Sequence, residues 1–289
     1  MPFTAKNLFT LINQAFMPMI LTVVLSTGIL GFIASGSTNL MNFIIAVWLV
    51  IAIDFSANAI NNYADWKIDE LNNKRVEMHK FLKKNKLLLL GGLLVATTLP
   101  FFIFGNLGLQ LTLLFSYFLI INYSLGICGK DKLILNYVMI SIFYGPTFFL
   151  IGFFMGTSDF NLLLQHSWIL LFIFLIDMGF SVTKDYEDIK GDKSENKLTL
   201  PVVYGKEFSL IYQFVITTVT FGFLALLVLL GWISTIYLIL LANYVIALIA
   251  LYRVKMVDHI KSFHLSHNLI RLNALLIRFM IGGILLLLR

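Results

Sequence analysis

The chain has 289 residues, of which 59% are hydrophobic and only 12% are charged, and its mean hydropathy is +0.90. A soluble domain usually carries about twice that share of charged residues, so the composition excludes an ordinary water-soluble fold. The single cysteine, Cys128, excludes an internal disulfide framework. The net charge of +6 could suggest a nucleic-acid partner, but the basic residues lie in short segments between apolar runs. We therefore expect no nucleic acid, and a membrane protein with one basic face.

Nine apolar segments are each long enough to cross the hydrocarbon core of a membrane, which takes a helix of about 20 residues. In chain order they cover residues 16–35, 41–62, 87–105, 108–127, 134–156, 167–184, 209–231, 234–252 and 269–288. No linker rich in Pro, Gly or Ser divides them. The sequence therefore predicts an all-α membrane protein with nine transmembrane helices, in a single domain over residues 1–289.

The positions of Lys and Arg predict how these helices are oriented. Of the 21 basic residues, 19 lie on the side of the N-terminus, whereas the opposite connections, such as residues 36–39 and 157–166, contain none. Basic connections mark the cytoplasmic side of a membrane protein. We therefore predict a multi-pass protein whose N-terminus and charged loops are cytoplasmic and whose C-terminus lies on the opposite side.

Two acidic clusters end the second and sixth predicted helices, both at the cytoplasmic side. The first cluster comprises Asn61, Asp65 and Asp69, and the second comprises Asp185, Asp188 and Asp192. Spacings of four residues place such side chains on one helix face, where like charges repel by about 0.2–0.5 kcal/mol per pair. The helix dipole also disfavours anions at a C-terminal end by about 0.3–1 kcal/mol each.

A bound divalent cation would reverse this unfavourable field. Oxygen ligands favour Mg²⁺, which is commonly held by one or two carboxylates together with substrate phosphates. The alternative is that the charged helix ends only mark the membrane interface, which does not require this repeated spacing. The two clusters therefore predict a site for Mg²⁺ and a diphosphate group.

An internal offset relates the two clusters to each other. Asp188 follows Asp65 by 123 residues, and Asp192 follows Asp69 by the same number. Such a repeat predicts two four-helix units in parallel orientation, with the ninth helix added. We expect the units to surround a central cavity that opens near the cytoplasmic face.

The motifs resemble those of the UbiA superfamily of intramembrane prenyltransferases. Its Asn-x-x-x-Asp-x-x-x-Asp signature matches the first cluster, and its Asp-x-x-x-Asp signature matches Asp188 and Asp192. The stretch over residues 183–192, followed by Thr199 and Pro201, is similar to the homogentisate and geranylgeranylglyceryl-phosphate branches. The resemblance covers nearly the whole chain. Residues 73–79 depart from the family's Asn-Arg-Pro-x-Pro-x-Gly element, which leaves the donor length and the acceptor open.

The resemblance implies a mechanism and a set of residues for each step. An isoprenyl diphosphate would place its tail among the helices, beside membrane lipid, and its diphosphate on Mg²⁺. The catalytic metal ligands would be Asp65, Asp69, Asp188 and Asp192, with Asn61 and Asp185 as further ligands. The basic residues that would bind the diphosphate are Lys130, Lys132, Lys184 and Lys193. Loss of pyrophosphate leaves an allylic cation, which the rings of Tyr63 and Tyr123 could stabilise, and an aromatic or other lipophilic acceptor would then attack it.

Two further acids, Asp54 and Asp177, lie deeper within predicted helices. Carboxylates inside a membrane are costly and are often functional. We interpret both as candidates for the cavity or the acceptor site, the alternative being a protonated, hydrogen-bonded structural role.

Two other functions stay open. A membrane terpene cyclase of the same superfamily would use the same ionisation but quench the cation internally. A cation-coupled transporter should carry its ionisable residues near the bilayer midplane on broken helices. The dense acids of this chain lie at the cytoplasmic boundary, so the transporter is the weaker alternative.

Overall fold

The protein is described by a computed structural model for residues 18–71, 75–194, 196–256 and 260–289. Within these residues the chain forms helices and no strands, which confirms the predicted all-α fold class. The helices are α1 (Pro18–Ala34), α2 (Leu40–Ala64), α3 (Trp66–Leu71), α4 (Val76–Phe81), α5 (Lys84–Thr98), α6 (Pro100–Phe104), α7 (Leu107–Ser124), α8 (Leu133–Ile142), α9 (Phe148–Gly156), α10 (Phe160–Gln165), α11 (Ser167–Phe180), α12 (Val182–Ser194), α13 (Leu200–Val203), α14 (Gly205–Leu229), α15 (Leu241–Met256) and α16 (Ile260–Leu287).

The described chain contains eight helical stretches that are long and apolar enough to cross a membrane. They are Leu40–Ala64, Lys84–Phe104, Leu107–Ser124, Leu133–Gly156, Ser167–Tyr186, Gly205–Leu229, Thr235–Met256 and Leu265–Leu287. These stretches coincide with predicted helices two to nine. The first predicted helix is present as a shorter apolar helix, Ile20–Ala34, and its first two residues, 16 and 17, lie outside the described chain.

Several predicted boundaries differ from the structure by a few residues or more, in part because hydropathy does not report polar helical residues. The last helix begins at Ile260 rather than at 269, since its first turns carry polar side chains that a search for apolar runs passes over. The fifth element, α5, likewise begins at Lys84 rather than at 87. Conversely, α7 ends at Ser124 and not at 127, where the chain turns towards the short 3₁₀ helix Gly129–Asp131.

The predicted helix over residues 134–156 is correct in extent but not in regularity. A π turn, Phe143–Thr147, joins α8 to α9, and Pro146 lies inside it. Proline has no backbone N–H and cannot continue the α-helical ladder, and π turns are frequent beside functional sites. The turn brings Tyr144 to the cavity described below.

The core lies where α1, α2 and α9 meet. Phe148, Phe149 and Phe153 are fully buried there. Helices α1 and α9 approach so closely that a Cβ atom on Gly152 would overlap the backbone of Gly28. Small residues permit this approach between membrane helices, where dispersion contacts replace the hydrophobic effect. Helix α2, which leads to the first acidic motif, packs against both of these helices.

Candidate active site

The first acidic motif keeps its one-face geometry across a helix junction. Asp65 caps α2 and precedes α3, yet its backbone N–H donates to Asn61 O and its own carbonyl accepts from Asp69 N, both at 2.9 Å. This ladder preserves the four-residue periodicity, so the three side chains share one face, as the spacing predicted. Asp65 and Asp69 are 8% and 5% exposed, which is unusual burial for carboxylates.

The second acidic motif lies on α12. Asp185 and Asp192 are buried, and the side chain of Asp188 lies outside the described residues. Asp185 Oδ2 accepts a 2.5 Å hydrogen bond from the hydroxyl of Tyr137, which in turn accepts from the backbone N–H of Leu200 at 2.9 Å. This bridge ties α12 to α8 and to the start of α13. The sequence did not single out Tyr137, because its partners are 48 and 63 residues away.

Basic side chains from three connections contact the acids. Lys130 Nζ lies 2.5 Å from Asp65 Oδ1 and 3.5 Å from Asn61 Oδ1. Arg75 contacts Asp69. Lys197 Nζ lies 3.9 Å from Asp192 Oδ1. Lys130 was predicted at this site, whereas Arg75 and Lys197 were not; their only signal in the sequence is that each closely follows an acidic motif.

The two motifs converge on one region of the protein. Burial raises the pKa of the Asp65 carboxyl, but the charge and hydrogen bond of Lys130 and the charges of Lys197 and Arg75 outweigh burial, so this pKa lies below its usual value. Lys197 thus acts on an acid of the first motif while it contacts Asp192 of the second. Tyr123 is likewise within electrostatic reach of both Asp65 and Asp185.

A cavity of about 380 Å³ lies among the helices, and Asn61 of the first motif is on its wall. Its wall is mainly apolar, as expected of a lipid-tail site. The polar side chains on this wall include Asn58, Asn61, Tyr123, Tyr144, Asp177 and Lys184. They come from α2, α7, the π turn, α11 and α12, so the cavity lies between the two predicted motif-bearing helices.

The predicted aromatic residues separate into two environments. Tyr123 lines the cavity, and its hydroxyl donates to Asn136 Oδ1 at 3.0 Å. Tyr63 packs instead with Met78 and Leu87, and Lys84 Nζ lies 4.5 Å from the centre of its ring. The structure therefore brings Tyr123, and not Tyr63, to the cavity.

The remaining predicted lysines also differ in position. Lys184 lines the cavity. Lys132, at the start of α8, and Lys193, at the end of α12, are exposed and do not line it. Of the predicted lysines, Lys130 thus contacts an acid of the first motif and Lys184 lines the cavity.

Both deep acids are hydrogen-bonded inside the helices. Asp54 is fully buried and accepts from Asn58 Nδ2 at 3.2 Å, while Asn58 itself lines the cavity. Asp177 lines the cavity and pairs with Arg278, a partner that the sequence did not indicate.

The donor set fits a hard divalent cation. The motifs supply carboxylate and amide oxygens, which Mg²⁺ prefers. Among the described side chains, no three Asp, Glu, His or Cys residues form a ready-made metal cage. Mg²⁺ commonly takes one or two carboxylates and completes its coordination shell with phosphate oxygens and water.

Comparisons with known proteins identify the family. The profile described as the UbiA prenyltransferase family matches residues 20–270. The chain is a multi-pass integral membrane prenyltransferase. It belongs to the UbiA prenyltransferase family, as its motifs predicted.

Several curated relatives carry the name digeranylgeranylglyceryl phosphate synthase. The protein of Methanosphaera stadtmanae is 29% identical over 214 residues, which cover 71% of this chain and 74% of that protein. The protein of Methanococcus aeolicus is 27% identical over 195 residues, covering 64% of this chain and 65% of that protein.

The fold is similar to solved structures. A UbiA homolog from Archaeoglobus fulgidus bound to DMAPP and Mg²⁺ superimposes with a TM-score of 0.69 at 16% identity, over 92% of this chain and 98% of that chain. At this identity the likeness establishes the fold alone.

Proposed function

We propose that this protein transfers a geranylgeranyl group from its diphosphate to a hydroxyl of a glyceryl phosphate lipid. The observation that carries the proposal is that both acidic motifs and their basic partners lie close together, beside a mainly apolar cavity whose wall includes Asn61 and Lys184. The curated relatives are named for a product with two geranylgeranyl groups on glyceryl phosphate. Their name does not support the aromatic acceptor that the sequence favoured, and we set that acceptor aside.

The acids would hold the metal that the neighbouring structure contains with its diphosphate. Asp65 and Asp69 of the first motif face Asp188 and Asp192 of the second in this proposal, with Asn61 and Asp185 as supporting groups. Bound Mg²⁺ would supply positive charge to the diphosphate and so make it a better leaving group. No step beyond this is assigned to the metal.

The chain's own cations would complete the diphosphate site. Lys130 lies at the junction of Asn61 and Asp65, where its ammonium can donate to a phosphate oxygen once a metal takes the carboxylate. Lys184 reaches the same region from the cavity wall. Lys132 and Lys193, being exposed, would act at longer range.

The cavity would protect the cation that remains after pyrophosphate leaves. The ring of Tyr123 lines the cavity, and an aromatic face attracts a desolvated cation by about 2 kcal/mol or more. The apolar wall excludes water, so the acceptor hydroxyl attacks the allylic carbon, and its proton passes to the pyrophosphate that has left.

The test is a turnover assay on the purified protein with Mg²⁺. We expect geranylgeranyl diphosphate and geranylgeranylglyceryl phosphate together to yield pyrophosphate and the doubly prenylated lipid. Asp65→Ala and Asp69→Ala should abolish pyrophosphate release, while Glu70→Ala, an exposed acid on the same short helix, should not. Pyrophosphate with a cyclic hydrocarbon and no acceptor requirement would indicate the cyclase instead, and ion flux without turnover would indicate the transporter.

We further propose a single domain with nine membrane helices in two four-helix units plus a ninth, with the cavity open near the cytoplasmic face. The N-terminus and the site would be cytoplasmic and the C-terminus on the opposite side. Cys128 lies in the connection before Lys130, so an impermeant maleimide should label it only after the membrane is opened. Cys128→Ser carrying Ser158→Cys should show the opposite pattern, and labelling of native Cys128 in sealed cells would contradict the orientation.

A further inference from the structure

An asparagine on the cavity wall has its amide held in one orientation by the residue one turn before it. Asn58 Nδ2 donates to the backbone carbonyl of Asp54 at 3.0 Å and to Asp54 Oδ2 at 3.2 Å. A backbone carbonyl only accepts hydrogen bonds, so the group of Asn58 that faces it is the amide nitrogen and not the oxygen. Both N–H groups of the amide are thereby used. Within the described chain, the amide oxygen is the polar atom of this side chain that remains for a ligand.

Packing alone does not explain this pair of polar residues. Asp54 and Asn58 are 0% and 6% exposed, and Asp54 Oδ1 has no hydrogen-bond partner within the described residues. A buried polar group without a partner costs stability, and a carboxyl inside a membrane is rare and often functional. Tyr144, which lines the cavity, lies within electrostatic reach of Asp54. The pair therefore borders the cavity.

Asn58 lies about one helical turn deeper than the acidic motifs. Asn61 follows it by three residues on α2, a rise of about 5 Å, and both side chains line the cavity. Asn61 Oδ1 is at the level of the acids, because Lys130 contacts both this oxygen and Asp65. The amide oxygen of Asn58 is therefore beside the first carbons of a prenyl chain whose diphosphate is held by those acids.

We propose that Asn58 binds the reacting hydroxyl of the acceptor lipid, and that Asp54 is the positioning residue that holds its amide. The inference rests on the proposed function, because that reaction needs a hydroxyl aimed at the allylic carbon. The hydroxyl donates to Asn58 Oδ1, which turns a lone pair of the hydroxyl oxygen towards that carbon. The bond between the allylic carbon and pyrophosphate breaks, the new C–O bond forms, and the hydroxyl proton passes to pyrophosphate.

The experiment measures the binding of two lipids without prenyl donor, so it does not depend on turnover. One is geranylgeranylglyceryl phosphate, and the other is the same lipid with its free hydroxyl replaced by hydrogen. Thermal stabilisation over a range of lipid concentrations gives both dissociation constants. Wild type should bind the hydroxyl lipid about 3- to 10-fold more tightly, as expected for one neutral hydrogen bond. Asn58→Ala should bind both lipids equally.

Two variants of Asp54 test its positioning role. Asp54→Ala leaves Asn58 with its backbone partner alone and should reduce the preference for the hydroxyl lipid. Asp54→Asn keeps an acceptor oxygen at the same place and should recover most of that preference. A structural loss would lower stability without changing a ratio of two affinities. Ser56→Ala is the matched control, because Ser56 is buried on α2 outside the cavity, and it should keep the preference of wild type.

Turnover with donor and Mg²⁺ gives a second readout. Each pyrophosphate released is matched either by prenylated lipid or by geranylgeraniol, the product of reaction with water. In Asn58→Ala the ratio of prenylated lipid to this alcohol should fall about 3- to 10-fold, because the hydroxyl is no longer held in place against water. KM for the prenyl diphosphate should stay the same. Incomplete folding does not change the ratio, since only folded molecules contribute to it.

The outcomes separate this inference from the proposed function. An equal preference for the hydroxyl lipid in wild type and Asn58→Ala overturns the hydroxyl site, and failure of Asp54→Asn to recover the preference overturns the positioning role. If wild type shows the preference through Asn58 but forms no doubly prenylated lipid, the site stands and the proposed reaction fails. If wild type binds neither lipid, both are overturned.

Discussion

The carboxylate of Asp177 accepts two hydrogen bonds from Nη2 of Arg278, at 2.7 and 2.8 Å, and the Arg278 side chain has no solvent exposure. Arg278 Nε also donates to Thr27 Oγ1 at 2.6 Å. One guanidinium thus connects α16 to α11 and to α1. The network holds these three helices in one arrangement, and its Asp177 side chain also lines the cavity.

Arg278→Leu should destabilise the protein by about 3–5 kcal/mol, because it leaves Asp177 as an unpaired charge in a buried site. The double variant Asp177→Leu/Arg278→Leu should recover much of that loss, since it removes both charges. Reversible unfolding in mixed detergent measures the free energies. A double variant as unstable as the single one would show that Arg278 acts through its packing and not through the ion pair.

Lys130→Met should change how stability depends on pH in the metal-free protein. The pKa of Asp65 lies below its usual value in the folded state, so this carboxyl binds fewer protons there than in the unfolded chain. The ionised Asp65 therefore stabilises the folded state above about pH 4, the usual pKa of an aspartate. In wild type this contribution is lost as the pH falls below that value. Without Lys130, burial raises the pKa of Asp65, so the variant is less stable than wild type at pH 7 and the difference shrinks on acidification.

Melting temperatures between pH 7 and pH 3.5 measure this difference. Lys132→Met removes an exposed charge from the same connection and should leave the pH dependence as in wild type. Parallel curves for wild type and Lys130→Met would remove Lys130 as the partner that sets the pKa of Asp65.

Tyr137→Phe should increase local opening of the backbone next to the second acidic motif. The substitution removes the bond to Asp185 and leaves the backbone N–H of Leu200 without this acceptor, a cost of about 1–3 kcal/mol. Hydrogen exchange should speed up at the start of α13, near Lys197. Tyr212 packs its ring against Tyr137, so Tyr212→Phe is the matched control and should leave exchange there unchanged.

Gly152→Ala should separate α1 from α9. A Cβ at this position would overlap the backbone of Gly28, and overpacking typically costs about 1–3 kcal/mol. Gly222 lies in α14 with no atom within 4 Å of an added Cβ, so Gly222→Ala should be neutral or slightly stabilising. Equal melting temperatures for the two variants would contradict the close helix contact.

Much of the membrane architecture follows from the sequence because each span must satisfy its backbone inside lipid and needs a minimum apolar length. The spacing of Asn61, Asp65 and Asp69 likewise determines a common face, since helical periodicity is local. Helix ends are less determined: α16 begins nine residues before the predicted position, where polar side chains continue the helix.

Periodicity alone could not show which residues meet across the bundle. Tyr63 and Tyr123 were equivalent candidates in the sequence, yet only Tyr123 lines the cavity. Arg278 lies 101 residues from Asp177, and nothing local to either residue indicates the pair. The sequence by itself determined the class of fold, the family and the faces that carry the acids. Only the tertiary structure decided which cations meet those acids and which side chains line the cavity, because helix packing brings together residues far apart in the chain.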